Sequence, residues 1–185
     1  MTKVAIISGS SSVHSRLNGI ENEVISFLKE NDFSIEQVRV IDLPPEDLIH
    51  AKYDSEEIKK TNKKIEEADA IVVLTPVFKA AYSGVLKAYL DLLPQKAFVH
   101  KPILPIVIGG SPGHLLVIDY ALKPVFNALG ATITLKGVYV IDSMIERLPK
   151  NQFRVDVDAK ERLHEELSIL VNLLRNGNHF ASSLN

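Results

Sequence analysis

Val4-Ala5-Ile6-Ile7-Ser8-Gly9-Ser10-Ser11-Ser12-Val13-His14-Ser15-Arg16-Leu17 passes from an apolar run through a hydroxyl-rich loop into an amphipathic segment. A short, continuous, β-branched run of this kind reads as a strand buried on both faces, here Lys3–Ser8. The loop offers backbone N–H groups, several hydroxyls and one guanidinium at the start of a helix, which suits a phosphate monoester. The same residues also fit an ordinary strand–helix turn in which Ser15 caps the helix, and both readings stand at this point. The loop is not a Walker A motif, because the Gly-Lys-Ser/Thr ending is missing. It is not the dinucleotide fingerprint either, since Gly9 stands alone where three glycines are needed. An anion bound here is held by hydroxyls and Arg16.

The following segment, from about Ser15 to Asn31, spaces Ile20, Val24, Ile25, Phe27 and Leu28 for one buried helical face. Ser34–Ile41 alternates apolar and polar residues, as expected of a more exposed second strand. Leu43-Pro44-Pro45-Glu46-Asp47 reads as a turn that cannot be helical before Pro45, and Leu48–Ser55 as a loop. Ser55 is placed to cap a charged helix that runs to Ala68. Asp69–Thr75 is a continuous apolar run, hence a central strand, ending at Pro76.

A helix from Gly84 to about Leu93 is apolar on more than one side, so it is internal or packed against another subunit. Ile103–Ile108 makes a fourth strand and ends in Gly109-Gly110-Ser111-Pro112-Gly113-His114. In the helix from Leu115 to Leu129, Pro124 has no N–H for the carbonyl of Tyr120, so the backbone must kink or bulge there. Gly130 closes that helix in a left-handed cap. Thr132–Val140 is expected as the fifth strand, Met144–Val155 as a polar loop and Val157–Leu174 as the last helix.

A chain of 185 residues most simply makes one domain, expected over 1–176 with a frayed tail over 177–185. With 21 Lys and Arg against 23 Asp and Glu, no strong field points to nucleic acid or an anionic membrane. The absence of cysteine excludes disulfides and thiolate metal sites and is compatible with a reducing compartment. Neither a signal peptide nor a run long enough to span a bilayer is seen, so a cytoplasmic protein is expected.

Strands alternating with helices predict an α/β fold: a doubly wound, five-stranded parallel sheet in the flavodoxin-like order 2-1-3-4-5, with helices on both faces. The loops Gly9–Arg16, Pro76–Gly84 and Gly109–His114 follow strands 1, 3 and 4, which are neighbours in that order, and so converge on one pocket. Gly109 and Gly110 allow close approach of a flat heterocycle, and Pro76, Val77 and Phe78 offer it a non-polar edge. A phosphate with a flat ring describes a mononucleotide or a flavin mononucleotide. No nucleophile elbow or metal-ligand spacing of histidines is present. His114 fits a ligand contact and a helix cap equally well.

Gly9-Ser10…Ser15-Arg16, the block Leu74-Thr75-Pro76-Val77-Phe78-Lys79-Ala80-Ala81-Tyr82-Ser83-Gly84-Val85-Leu86-Lys87, Gly109-Gly110 with His114-Leu115-Leu116, and Asp119–Pro124 resemble the NADPH-dependent FMN reductases. The particular similarity is to the branch that supplies reduced FMN to alkanesulfonate monooxygenase, and it runs from the first strand to about Asp142. Two departures matter. The wider family usually has Thr-Pro-Glu-Tyr-Asn where Val77, Phe78 and Lys79 fill the last three positions, and Phe78 replaces the tyrosine usual in this branch. The first loop has Ser11-Ser12 where the family often has Pro-Arg, so phosphate binding would rest on Ser10, Ser12, Ser15 and Arg16.

The resemblance implies a flavodoxin-like subunit that assembles into homodimers or dimers of dimers, with FMN and NADPH as cofactors. Reduced FMN would pass to a flavin-dependent monooxygenase. Cofactor contacts are then expected from Ser10, Ser12, Ser15, Arg16 and Leu17, from Pro76, Val77, Phe78, Lys79 and Ala80, and from Gly109, Gly110, Ser111 and His114. Tyr82, Tyr89 and Tyr120 would lie at an interface, with Tyr120 in a π-bulge. No metal and no side-chain acid or base is called for, because the hydride passes directly between the cofactors. Two rival readings are an FMN-retaining quinone or azo reductase and a non-enzymatic flavin-binding redox protein.

Overall fold

The computed structural model describes residues 2–176. In chain order its first elements are β1 (Lys3–Ser8), α1 (Leu17–Glu30), β2 (Ser34–Arg39), α2 (Pro45–Ile49), α3 (Glu56–Glu66), β3 (Ala70–Phe78) and β4 (Ala81–Tyr82). There follow α4 (Gly84–Leu90), β5 (Ile103–Gly109), α5 (Lys123–Ala128), β6 (Val138–Ile141), β7 (Ile145–Leu148), β8 (Gln152–Val155) and α6 (Val157–Asn176).

β1 carries the apolar run because it is covered everywhere: β2 and β3 pair with it in parallel, and Val4 to Ile7 have no exposed surface. The parallel sheet runs β2-β1-β3-β5-β6, the expected 2-1-3-4-5 order counted over parallel strands. Side-chain alternation then builds two cores. Val4 and Ile6 join α1 and α6 on one face, while Ala5 and Ile7 join residues of α3, α4 and α5 on the other. Each aliphatic side chain so enclosed contributes roughly 1.5–3 kcal/mol against exposure. Among the described residues no helix is long and apolar enough to cross a membrane. The frayed tail expected over 177–185 lies outside the described residues.

Several boundaries differ from expectation. Parallel pairing of β3 with β5 does stop at Pro76, opposite Ile108, but the strand continues and turns back as an antiparallel hairpin with β4. β2 ends at Arg39, and Val40–Asp42 form a 3-10 turn. The segment expected as turn and loop contains α2, because Pro45 at a helix N-terminus lacks a donor that would go unused anyway. Ser55 does not cap α3 with its side chain. Its hydroxyl donates to Asp47 Oδ2 at 2.6 Å, which, with the Lys52 ammonium, holds that carboxyl below its ordinary pKa. α4 stops at Leu90, although Leu92 and Leu93 remain buried beyond it.

The fifth strand is shorter than Thr132–Val140. At Gly137 the backbone takes φ +85°, and a Cβ there would lie 2.7 Å from Pro105, so regular pairing begins only at Val138. The stretch Met144–Val155, expected as a loop, contains the antiparallel hairpin β7–β8. The kink expected near Tyr120 is a π-helical turn over Ile118–Leu122, leading directly into α5 with Pro124 in its first turn. Gly130 has φ +90°, as a left-handed cap requires.

Candidate active site

The loops after β1, β3 and β5 and the segment after β6 enclose a cleft of about 210 Å³ at the carboxyl end of the sheet. Its lining includes Ser10, Ser11, Ser12, Ser15, Arg16, Pro76, Val77, Phe78, Ile108, Gly109, Gly110, Asp142 and Arg147. A larger groove, about 870 Å³, lies between α3 and the segment after α4, at the opposite end of the strands, and none of these loops reaches it. A ligand of a doubly wound sheet belongs at the carboxyl end.

The first wall is folded by its own hydroxyls. Ser10 is buried; its Oγ donates to the Ser12 carbonyl at 2.9 Å and accepts the Ser12 N–H at 3.2 Å. Its proton is therefore engaged within the loop. Ser12 Oγ accepts the His14 N–H and Ser15 Oγ the Leu17 N–H, so Ser15 does cap the first turn of α1. Both of these hydroxyls keep a proton to donate. Arg16 Nη1 donates to both oxygens of Asp142, at 2.9 and 3.2 Å, while its Nε is buried without a partner among the described residues. An orphaned guanidinium N–H beside two donor hydroxyls fits a phosphate monoester.

The second wall is the β3–β4 hairpin. Val77 pairs with Tyr82 and Phe78 with Ala81, leaving Lys79 and Ala80 as a two-residue turn with φ +50° and +66°. Such a turn requires positive φ at both central residues and usually selects Asn and Gly. Residues with a Cβ are destabilised there by about 1–2 kcal/mol each. The turn leaves Phe78 exposed on the lining of the cleft. Beneath it, Ser83 Oγ donates to the Gly9 carbonyl at 2.5 Å and accepts the Leu86 N–H at 3.1 Å. The Ser83 N–H donates to Thr75 Oγ1 at 3.0 Å. One serine thus caps α4 and ties the hairpin to the first loop.

At the third wall the two glycines do different work. A Cβ on Gly109 would overlap the Tyr139 hydroxyl, which donates to the Ser111 carbonyl at 2.6 Å. Burial raises the Tyr139 pKa and so keeps the phenol a donor. A Cβ on Gly110 would meet nothing within 4 Å, so it is Gly110 that opens onto the cleft.

Nine of the expected contact residues come together here: Ser10, Ser12, Ser15, Arg16, Pro76, Val77, Phe78, Gly109 and Gly110. Leu17 does not, because its side chain is fully buried in the core and its N–H is taken by Ser15. Lys79 and Ala80 sit at the hairpin tip and Ser111 and His114 in the next loop, all exposed and off the lining. Tyr89 is not at a surface: it is fully buried in the core, where desolvation pushes its phenol pKa up. Tyr120 is 79% exposed on the π turn beside exposed Leu115 and Leu116, and Tyr82 is partly buried. Asp142 and Arg147 were not foreseen, since nothing in their local sequence marks a site. No cluster of three metal-ligating side chains occurs among the described residues.

The fold is that of a flavodoxin-like protein, with a cleft at the carboxyl end of its sheet whose lining suits a phosphorylated, flat-ringed ligand. The sequence profile described as NADPH-dependent FMN reductase matches residues 2–146, and the chain belongs to that family. It is 41% identical over 165 residues to an FMN reductase (NADPH) of Pseudomonas putida, covering 89% of this chain and 84% of that one. It is 44% identical over 130 residues to an FMN reductase (NADPH) of Escherichia coli, covering 70% of this chain and 62% of that protein. Among solved structures, the apo form of an NADH:FMN oxidoreductase (EMOB) superposes with TM-score 0.78 at 30% identity, covering 92% and 89% of the two chains. This protein is an oxidoreductase of FMN and NADPH.

Proposed function

We propose that FMN binds this cleft as a substrate, is reduced at the expense of NADPH, and leaves for a separate flavin-dependent monooxygenase of the alkanesulfonate type. The composition of the cleft supports the reading: donor hydroxyls and a guanidinium at one end, and at the other Gly110 with the Pro76–Phe78 edge. FMN, when bound, accepts a hydride from the nicotinamide, a transfer that asks the protein for positioning. Ser12, Ser15 and Arg16 Nε donate to the phosphate. Pro76, Val77 and Phe78 bound the ring and exclude water from one side, and Gly110 admits it close to the backbone. Lys79 at the hairpin tip faces solvent, where it can meet the incoming nucleotide.

Residues 1–176 are read as one FMN-binding domain. A homodimer or a dimer of dimers is supported by Leu115, Leu116 and Tyr120, which crowd exposed apolar surface around the π turn. A cytoplasmic location fits the absence of cysteine.

The purified protein is tested by its visible spectrum and by NADPH oxidation with and without added FMN. Colourless protein that oxidises NADPH only with FMN supplied is the expected result. Yellow protein that turns over quinones or azo compounds without added FMN would overturn the substrate reading. Absence of NADPH oxidation in every combination would leave a flavin-binding role alone.

A further inference from the structure

We infer that Arg147, carried into the cleft by the β7–β8 hairpin, is a second phosphate-binding group of this site. The inference rests on the proposed reading of the cleft as a flavin site. In the hairpin Arg147 stands opposite Phe153 and Glu146 opposite Arg154. Strand alternation puts Ile145, Arg147, Phe153 and Val155 on one face and Glu146 and Arg154 on the other.

The first face is held against the body of the protein. Ile145 is buried, and a Cβ on Gly19 of α1 would lie 2.8 Å from Phe153 Cβ and 3.1 Å from Ile145 Cγ2. The second face is satisfied on its own, by an Arg154–Glu146 ion pair at 3.1 Å. Arg147 is thus the single charged side chain on that face of the paired strands, and unlike Ile145 it is exposed. It reaches the cleft lining and makes no ion pair or side-chain hydrogen bond among the described residues.

Charge explains the need. Arg16 has already given Nη1 to Asp142, so the pair brings almost no net charge to the cleft. A phosphate monoester is close to a dianion at neutral pH, and the Ser12 and Ser15 hydroxyls supply donors to it but no charge. Arg147 brings the missing positive charge from above the amino end of α1.

Two ligands bring a phosphate monoester here: FMN, through its 5′-phosphate, and NADPH, through its 2′-phosphate. Equilibrium titrations of Arg147→Gln separate them, with FMN against riboflavin followed by flavin fluorescence, and NADP⁺ against NAD⁺ by calorimetry. The expected result is a roughly tenfold rise in Kd for one phosphorylated ligand, with its unphosphorylated partner unchanged. Selective loss with FMN assigns the flavin phosphate; selective loss with NADP⁺ assigns the nucleotide phosphate. Arg147→Lys keeps the charge without the fork and is expected to lose roughly threefold. Arg154→Gln removes the same charge from the outer face of the same hairpin and is expected to change neither ratio. Unchanged affinities in Arg147→Gln, equal losses for both members of each pair, or the same effect from Arg154→Gln would overturn the inference. Failure of the wild-type protein to bind any flavin would instead overturn the reading on which it rests.

Discussion

The first two walls of the cleft are built on opposite principles. The loop after β1 takes its shape from side chains: Ser10, Ser12 and Ser15 each fold it through a hydroxyl, and Asp142 aims Arg16. The β3–β4 hairpin takes its shape from backbone, forcing Lys79 and Ala80 into the left-handed region so that Phe78 is presented. A phosphate is recognised by directed donors, so its wall must place particular atoms. A ring edge is recognised by shape, so its wall need only hold a turn. Ser83 joins the two, and substitutions should separate them.

The largest effect is expected from Ser83→Ala. It removes the cap of α4 and leaves the buried Gly9 carbonyl without its donor, costing about 2–3 kcal/mol in denaturant unfolding. Both walls share this anchor, so FMN and riboflavin affinity should fall together; loss of FMN affinity alone would mean the walls are held independently. Arg16→Ala touches one wall, and FMN should bind roughly thirtyfold more weakly while riboflavin is unaffected. Equal losses in a flavin titration would show that Arg16 shapes the loop and does not hold phosphate.

Gly109→Ala is smaller. The added methyl meets the Tyr139 hydroxyl, and thermal unfolding should show a loss of about 1–2 kcal/mol. A companion Tyr139→Phe should restore only part of it, because the ring Cζ would still lie 2.8 Å from the methyl and the bond to the Ser111 carbonyl is lost. Smallest and opposite in sign is Ala80→Gly, which relieves a left-handed alanine at the cost of extra freedom in the unfolded chain. The net gain should be about 0.5 kcal/mol by the same measurement, with Kd for riboflavin little changed. A loss of stability there would mean that the turn is held from outside itself.

The parallel sheet could be read from sequence because Val4–Ile7, Ile71–Leu74 and Ile103–Ile108 are runs that only double burial explains. A kink or bulge before Pro124 could be read because a missing N–H is a local fact, while its π form came from the family resemblance. What escaped depends on partners distant in the chain. Ile145-Glu146-Arg147-Leu148 is short and half charged, and it reads as a strand only once α1 offers Gly19 as a floor. Tyr89 looked like an interface residue because an all-apolar helix face does not say whether it meets its own chain or another. Ser55 looked like a cap because Asp47 is eight residues away and out of view. In the site itself, Arg16 and the hydroxyls were legible as types. Asp142 was not, since it meets Arg16 only through the fold.

The β7–β8 hairpin pairs with no strand of the main sheet; its two strands bond to each other, and its ends connect directly to β6 and α6. Apart from Ile145, Phe153 and Val155, which pack on the core, its residues are therefore free to change without disturbing the register of the five parallel strands. Phosphate preference, if lodged in one residue of so separable a piece, can be rewritten by exchanging a few codons, while the scaffold that brings two cofactors together is inherited intact.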